Sequence, residues 1–206
     1  MVYVGRFDLA EFAVVLEPEE PLETARRALY AGLVALADAL AAHAPPERPI
    51  SFDWPDAVRV NGGLVGGGRL GWPQGAPENE PPAWLVFGAM IRTVAMGEDE
   101  PGLRPLSAAL EEEGFEDFDS DRLVESFARH LMVAIDTWQE KGFGEVAKSY
   151  LAGLAPQSGV RRELDGNGDL LVRRSVAGGG SVERQSLVRA LAQPSWLDPA
   201  TGGLRR

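Results

Sequence analysis

The pattern of apolar and polar residues along the chain predicts five strand-forming segments. The opening stretch is rich in β-branched and aromatic residues, is interrupted at Gly5 and ends at Pro18, which indicates one or two strands. Two of the later short segments are joined by Asn61-Gly62, a strong signal for a tight turn. A longer and continuously apolar segment has the pattern of a buried central strand. The predicted strand segments are residues 2–18, 49–53, 57–61, 64–71 and 84–94.

Apolar residues recur at intervals of three or four in two longer segments, which predicts amphipathic helices. The second of these is capped by Asp119 or Ser120 and ends at Gly142. The predicted helices are residues 21–42, 106–113, 120–139 and 143–154. The order of elements predicts an α+β fold, in which the two long helices pack against a twisted mixed or largely antiparallel sheet. The side chains expected to be largely buried are Trp54, Phe87, Phe127, Leu131 and Trp138.

The character of the sequence changes after Pro156. The segment VRRELDGNGDLLVRR predicts a β-hairpin, and the flexible run at 178–180 then precedes a short helix. We therefore expect a main domain over residues 1–156 and a small β-rich module over residues 157–206. The chain begins one residue before its first strand, so we also expect that an N-terminal part of the main domain is missing.

Charge and composition exclude several classes of function. The 206 residues carry a net charge of −11, which disfavours binding to DNA or to an acidic membrane. No apolar stretch is long enough to span a bilayer, and the charged start of the sequence is unlike a signal peptide. The absence of cysteine rules out thiolate catalysis and cysteine-ligated zinc. We expect a cytoplasmic protein without a bound metal.

The candidate chemistry lies in the segment FDWPDAVRVNGGLVGGGRLGW, residues 52–72, which is rich in glycine and contains no lysine. Glycines on a strand let a flat ligand lie against the backbone, and they equally suit a bulged, tightly packed strand. Arg69 and Arg92 fall on the two strands that would floor such a pocket. Either guanidinium suits a carboxylate or a phosphate, but strand alternation does not determine which way they point.

The order of these elements is similar to that of the catalytic domain of biotin protein ligases and lipoate ligases. The residues that carry the resemblance are Trp54-Pro55-Asp56, Val60-Asn61-Gly62, Gly66-Gly67, Trp84-Leu85-Val86-Phe87-Gly88 and the long helix with Gly142-Phe143. The resemblance covers about residues 5–155, and the tail resembles the small module that often follows in biotin ligases. More narrowly, the whole chain resembles a bacterial branch described only as biotin/lipoate ligase-like. The implied ligand-binding residues are Trp54, Pro55, Asp56, Gly66, Gly67, Gly68 and Gly88.

The resemblance implies a two-step reaction. An acid such as biotin, lipoate or octanoate attacks ATP, with Mg²⁺, to give an acyl adenylate, and a lysine of a carrier protein then takes the acyl group. Because two anions are brought together, a cation at the reacting phosphate is expected to stabilise the transition state.

The sequence departs from the family pattern where that positive charge is needed. The lysine that the family has before its paired glycines aligns with Leu64, and the lysine before the Trp-Pro pair aligns with Asp53. Met90 stands where the family keeps the floor of the pocket open. The arginine- and glycine-rich adenylate loop has no counterpart in this sequence.

These departures leave two hypotheses. One is an acyl ligase or acyltransferase with an altered substrate, in which Arg69 or Arg92 supplies the positive charge. The other is a non-catalytic relative that binds a small carboxylic acid or a carrier protein. In both cases, the site is predicted between the Gly66–Gly68 strand and the Gly88 strand, under the Trp54-Pro55 turn. The acyl group, the acceptor and the oligomeric state are not determined by the sequence.

Overall fold

A computed structural model describes residues 2–5, 7–95, 107–116, 118–176 and 179–205. Six strands form an entirely antiparallel main sheet in the order β1-β2-β6-β5-β4-β3. Their bounds are β1 Val2–Gly5, β2 Leu9–Leu16, β3 Ile50–Asp53, β4 Ala57–Val60, β5 Gly63–Gly71 and β6 Leu85–Arg92. The predicted α+β class, with β6 in the interior of the sheet, is confirmed.

The helices cover one face of this sheet. Their bounds are α1 Leu22–Ala25, α2 Ala28–Ala41, α3 Ser120–Lys141, α4 Phe143–Ala152 and α5 Leu187–Leu191. Phe127 of α3 lies at the centre of the core, with its ring centroid 4.7 Å from that of Phe12 and 5.7 Å from that of Phe87. Among the described residues, no helix is both long and apolar enough to cross a membrane.

A second sheet of three antiparallel strands follows α4. Its strands are β7 Val160–Leu164, β8 Leu170–Val176 and β9 Gly179–Gln185. The hairpin of β7 and β8 was predicted, whereas β9 was not. This sheet is tied to the main core, because the Tyr30 hydroxyl of α2 donates to the Gly168 carbonyl at 2.6 Å and Leu187 is buried among core residues. The boundary after residue 156 stays a prediction.

Two predicted helices need correction. The helix predicted over residues 21–42 is broken at Arg26-Arg27, where Arg26 forms a bidentate ion pair with Glu78. The helix predicted over 106–113 is wrong, because the described part from 107 onward consists of a bridge and turns. Leu106 lies outside the described residues.

The predicted burial is confirmed for three of the five side chains, and the other two are packed against the core but less completely buried. Phe87, Phe127 and Leu131 are buried. Trp54 and Trp138 are only half-buried. Trp138 also lies within reach of the Arg27 guanidinium, which is 5.3 Å from its ring, so this indole forms part of an accessible groove.

Candidate ligand site on the outer face of the sheet

The face of the main sheet opposite α2 and α3 is called the outer face here. Strand alternation places Ala89 and Ile91 of β6 in the helix-covered core and turns Gly88 and Met90 to the outer face. The backbone register sets Gly67 beside Met90 and Arg69 beside Gly88. The predicted concavity is therefore a shallow surface across β5 and β6.

The three consecutive glycines of β5 are in contact with protein atoms. A Cβ atom at Gly66 would collide with the Met90 carbonyl, and one at Gly68 would lie 2.8 Å from the Phe87 ring. The ladder between β4 and β5 shifts register next to Gly66, as a bulged strand requires. Of the two interpretations of these glycines, the geometry favours tight packing at Gly66 and Gly68.

Gly67 differs because it faces a segment that comes from far along the chain. Residues 195–205, the cap segment, fold back onto the outer face as a short loop closed by the antiparallel bridge between Leu197 and Leu204. A Cβ at Gly67 would lie 2.5 Å from Trp196 Cδ1. Trp196 is 1% exposed and packs with Ala57, so the space that Gly67 leaves open is filled by an indole of the same chain.

The Asp56 carboxylate fastens the cap segment to the sheet. Its Oδ1 accepts a hydrogen bond from the Ser195 hydroxyl at 2.9 Å, and the side chain is fully buried. Burial raises the pKa of Asp56 to about 6, while the hydrogen bonds from Ser195 act in the opposite direction. Asp56 Oδ2 and Trp196 Nε1 have no hydrogen-bond partner among the described residues.

We expect Asp56→Asn to change how stability depends on pH. The unfolded carboxyl titrates near 3.9, so the folded protein binds this proton more tightly, and stability falls as pH rises through about 6. The full effect is about 3 kcal/mol, the equivalent of about two pKa units. Urea unfolding at pH 4 and pH 7 should show that the wild type loses more stability than Asp56→Asn over this interval. Equal losses in the two proteins would contradict the assignment.

Arg69 lies beside a small cavity between the outer face and the cap segment. The cavity has a volume of about 280 Å³, and Met90, Gly88 and Trp196 also line it. Arg69 is exposed and has no ion-pair or hydrogen-bond partner among the described residues. Glu11 lies on the opposite side, two strands away across β6. The cavity thus combines the Arg69 cation with apolar walls and, on its far side, the Glu11 carboxylate.

The other arginines of the outer face are engaged with protein groups. Arg92 donates to the Arg205 carbonyl at 3.0 Å and borders a larger open groove of about 1010 Å³ beneath the cap segment. Arg59 is paired with Asp53 at 2.6 Å. Of the two predicted cations, Arg69 is therefore better placed for a small anion.

The Trp54-Pro55 turn does not roof this cavity. The peptide bond between the two residues is cis, and the Trp54 indole donates to the Tyr30 hydroxyl at 3.0 Å, on the helix side of the sheet. The Pro55 carbonyl accepts from the Tyr150 hydroxyl at 3.0 Å. Among the residues predicted for the site, Arg69 and Gly88 line the cavity, and Gly67 lies under its Trp196 wall.

Sequence reasoning missed Ser195 and Trp196. Local sequence carries no sign that Trp196 contacts a strand more than a hundred residues away. The buried carboxylate of Asp56 precedes Ala57, and Ala57 is the register partner of Gly67, so these residues become signals only when the register is known.

The main sheet is antiparallel, with helices on one face and a small cavity beside its glycine-rich strand on the other. Known proteins with the same arrangement indicate the family. The chain belongs to the biotin/lipoate A/B protein ligase family, whose model matches residues 1–152. This confirms the resemblance stated from the sequence.

Individual relatives agree with this assignment. The biotin–[acetyl-CoA-carboxylase] ligase of Paracoccus denitrificans is 27% identical over 177 residues, which cover 78% of this chain and 72% of the relative. A biotin protein ligase-like protein of unknown function from a Silicibacter species is 30% identical, with a TM-score of 0.77 over 93% of this chain and 84% of that one. The biotin protein ligase of Aquifex aeolicus shares the fold at 17% identity, with a TM-score of 0.63 over 86% of this chain and 83% of that one.

Proposed function

We propose that this member of the biotin/lipoate ligase family binds a small carboxylic acid on its outer face and does not activate it with ATP. The acid would place its carboxylate at Arg69 and its apolar part along Met90 and Trp196. The observation that carries the proposal is the environment of Leu64, the residue that aligns with the family's lysine.

Leu64 is packed into an apolar cluster. It contacts the group formed by Ala57, Trp196 and Leu197 beneath the cap segment. A phosphate placed there would lose its hydration without gaining a cation, which is strongly unfavourable. This environment supports binding of an apolar group next to Leu64 and argues against adenylate chemistry.

The balance of charge supports a single carboxylate rather than a triphosphate as the ligand. Asp53 neutralises Arg59, and the Arg92 guanidinium is bonded to a main-chain carbonyl of the cap segment. Among the described residues that line the small cavity, Arg69 is the cation and Glu11, two strands away, is the anion, so a triphosphate would be repelled more than a single carboxylate. One guanidinium matches one carboxylate in charge and geometry.

A second candidate is the ligase or acyltransferase activity itself, with Arg69 as the electrostatic group. Membership of the family favours it, as does the Paracoccus relative, which carries the name of a ligase. In that case, ATP with Mg²⁺ would be a substrate, and a carrier protein would be the acceptor. The two candidates separate on adenylate formation, because both require the acid to bind.

Calorimetric titration with hexanoate, octanoate, biotin, lipoate and ATP tests the proposal. We expect at least one acid to bind to the wild type and Arg69→Ala to weaken it by about 10- to 150-fold, the value of a charge-assisted hydrogen bond of 1.5–3 kcal/mol. Arg92→Ala should have a smaller effect, since that guanidinium is bonded to the Arg205 carbonyl.

Arg129→Ala is a matched control, because this exposed arginine pairs with Glu125 within α3, on the helix side of the sheet. Binding that is unchanged by Arg69→Ala would show that the charge lies elsewhere. If none of the acids binds, the small-acid proposal is wrong, and a carrier protein becomes the ligand to test.

A further inference from the structure

We infer that Trp196 determines the length of the acid that the outer face accepts. This inference rests on the proposed function, and it adds a specificity-determining residue contributed by the cap segment rather than by the sheet. The basis is that the Trp196 indole lies over Gly67 and forms the end wall of the cavity that begins at Arg69.

The position of the indole relative to Arg69 follows from strand geometry. Arg69 and Gly67 lie on the same face of β5, two residues apart, which corresponds to about 6.5 Å. An acid whose carboxylate is held by Arg69 and whose tail runs along β5 therefore meets Trp196 after a short distance. Trp196 lines the cavity and is 1% exposed, so it forms a fixed wall there.

The sheet itself would allow a longer ligand. Gly67 has no side chain, and beyond it the outer face continues through apolar Ala57 and Leu64, which now pack against the indole. With the indole removed, the cavity at Arg69 and this apolar strip would form one surface. A tail that crossed it would gain free energy for every methylene group it buried.

The experiment measures the dissociation constants of butyrate, hexanoate, octanoate and decanoate by calorimetry. In the wild type, we expect affinity to level off by hexanoate. In Trp196→Ala, octanoate should bind about 15-fold more tightly than hexanoate, since each of its two additional methylene groups contributes about fourfold when buried. Trp196→Phe should give an intermediate profile.

Trp196→Phe and a control variant make the result decisive. Trp196→Phe keeps an aromatic ring against Gly67, so it reports on ligand length even if the alanine variant fails to fold. Trp84→Ala removes a tryptophan that is 39% exposed just before β6 and should keep the wild-type profile.

Each outcome has a distinct meaning. The inference is supported if only the Trp196 variants shift the preference to longer acids. It is overturned if the affinity of the Trp196 variants also levels off at hexanoate. In that case, the proposed function stands without the inference. If no acid binds to any of the proteins, the proposed function and this inference fail together.

Discussion

The purified protein is expected to form no biotinyl or lipoyl adenylate from ATP. We propose that Leu64 stands at the position of the family's lysine, and its side chain is packed among apolar residues. Loss of one charged contact at a transferring phosphate costs about 3 kcal/mol, or about a hundredfold in rate. The measurement is exchange of labelled pyrophosphate into ATP in the presence of biotin, lipoate or octanoate.

The Aquifex aeolicus protein, which carries the name of a biotin protein ligase, provides the positive control. Exchange by this chain at a rate similar to that of the control would contradict the expectation and would establish the ligase hypothesis. Leu64→Lys alone should not restore exchange, because the new ammonium group would be placed against Trp196 and Ala57.

The largest loss of stability is expected for Phe127→Ala. Phe127 is fully buried and joins α3 to Phe12 of β2 and Phe87 of β6. Truncating a buried phenylalanine costs about 3–5 kcal/mol through lost burial and the cavity that remains. Because a domain of this kind is stable by only about 5–15 kcal/mol, the midpoint of urea unfolding should fall sharply.

Phe7→Ala is the matched control for this measurement. The Phe7 side chain is 71% exposed. The Phe7 carbonyl accepts from the Thr93 hydroxyl at 2.8 Å, and alanine would keep that main-chain contact. Its substitution should change stability by less than about 0.5 kcal/mol. A Phe127→Ala variant as stable as Phe7→Ala would show that the helix does not depend on this packing.

Much of the fold was predictable because its signals are local. Asn61 and Gly62 both have positive φ angles of 50° and 85°, as the tight turn between β4 and β5 demands. The tight turn also located the start of β5, and the continuous apolar run located β6. The break at Arg26 was not predictable, since it depends on an ion pair with Glu78, more than fifty residues away.

The candidate site was only partly predictable, because part of it depends on contacts between residues that are far apart in the sequence. Arg69 and Gly88 were correctly assigned to neighbouring strands that border a cavity. The direction of Trp54 was missed, because its hydrogen bond to Tyr30 depends on how α2 crosses the sheet. Trp196 was missed because the periodicity of a strand does not indicate which distant segment packs against its outer face.

The order of synthesis gives the cap segment one more consequence. The sheet is complete once Arg92 has been made, but roughly a hundred residues separate it from Trp196, and a ribosome needs on the order of 5–20 s to translate them. Any sheet that forms in that interval has Ala57, Leu64 and Met90 without their indole cover. Chaperones, neighbouring nascent chains and the acid itself would compete for that apolar strip before the protein closes it.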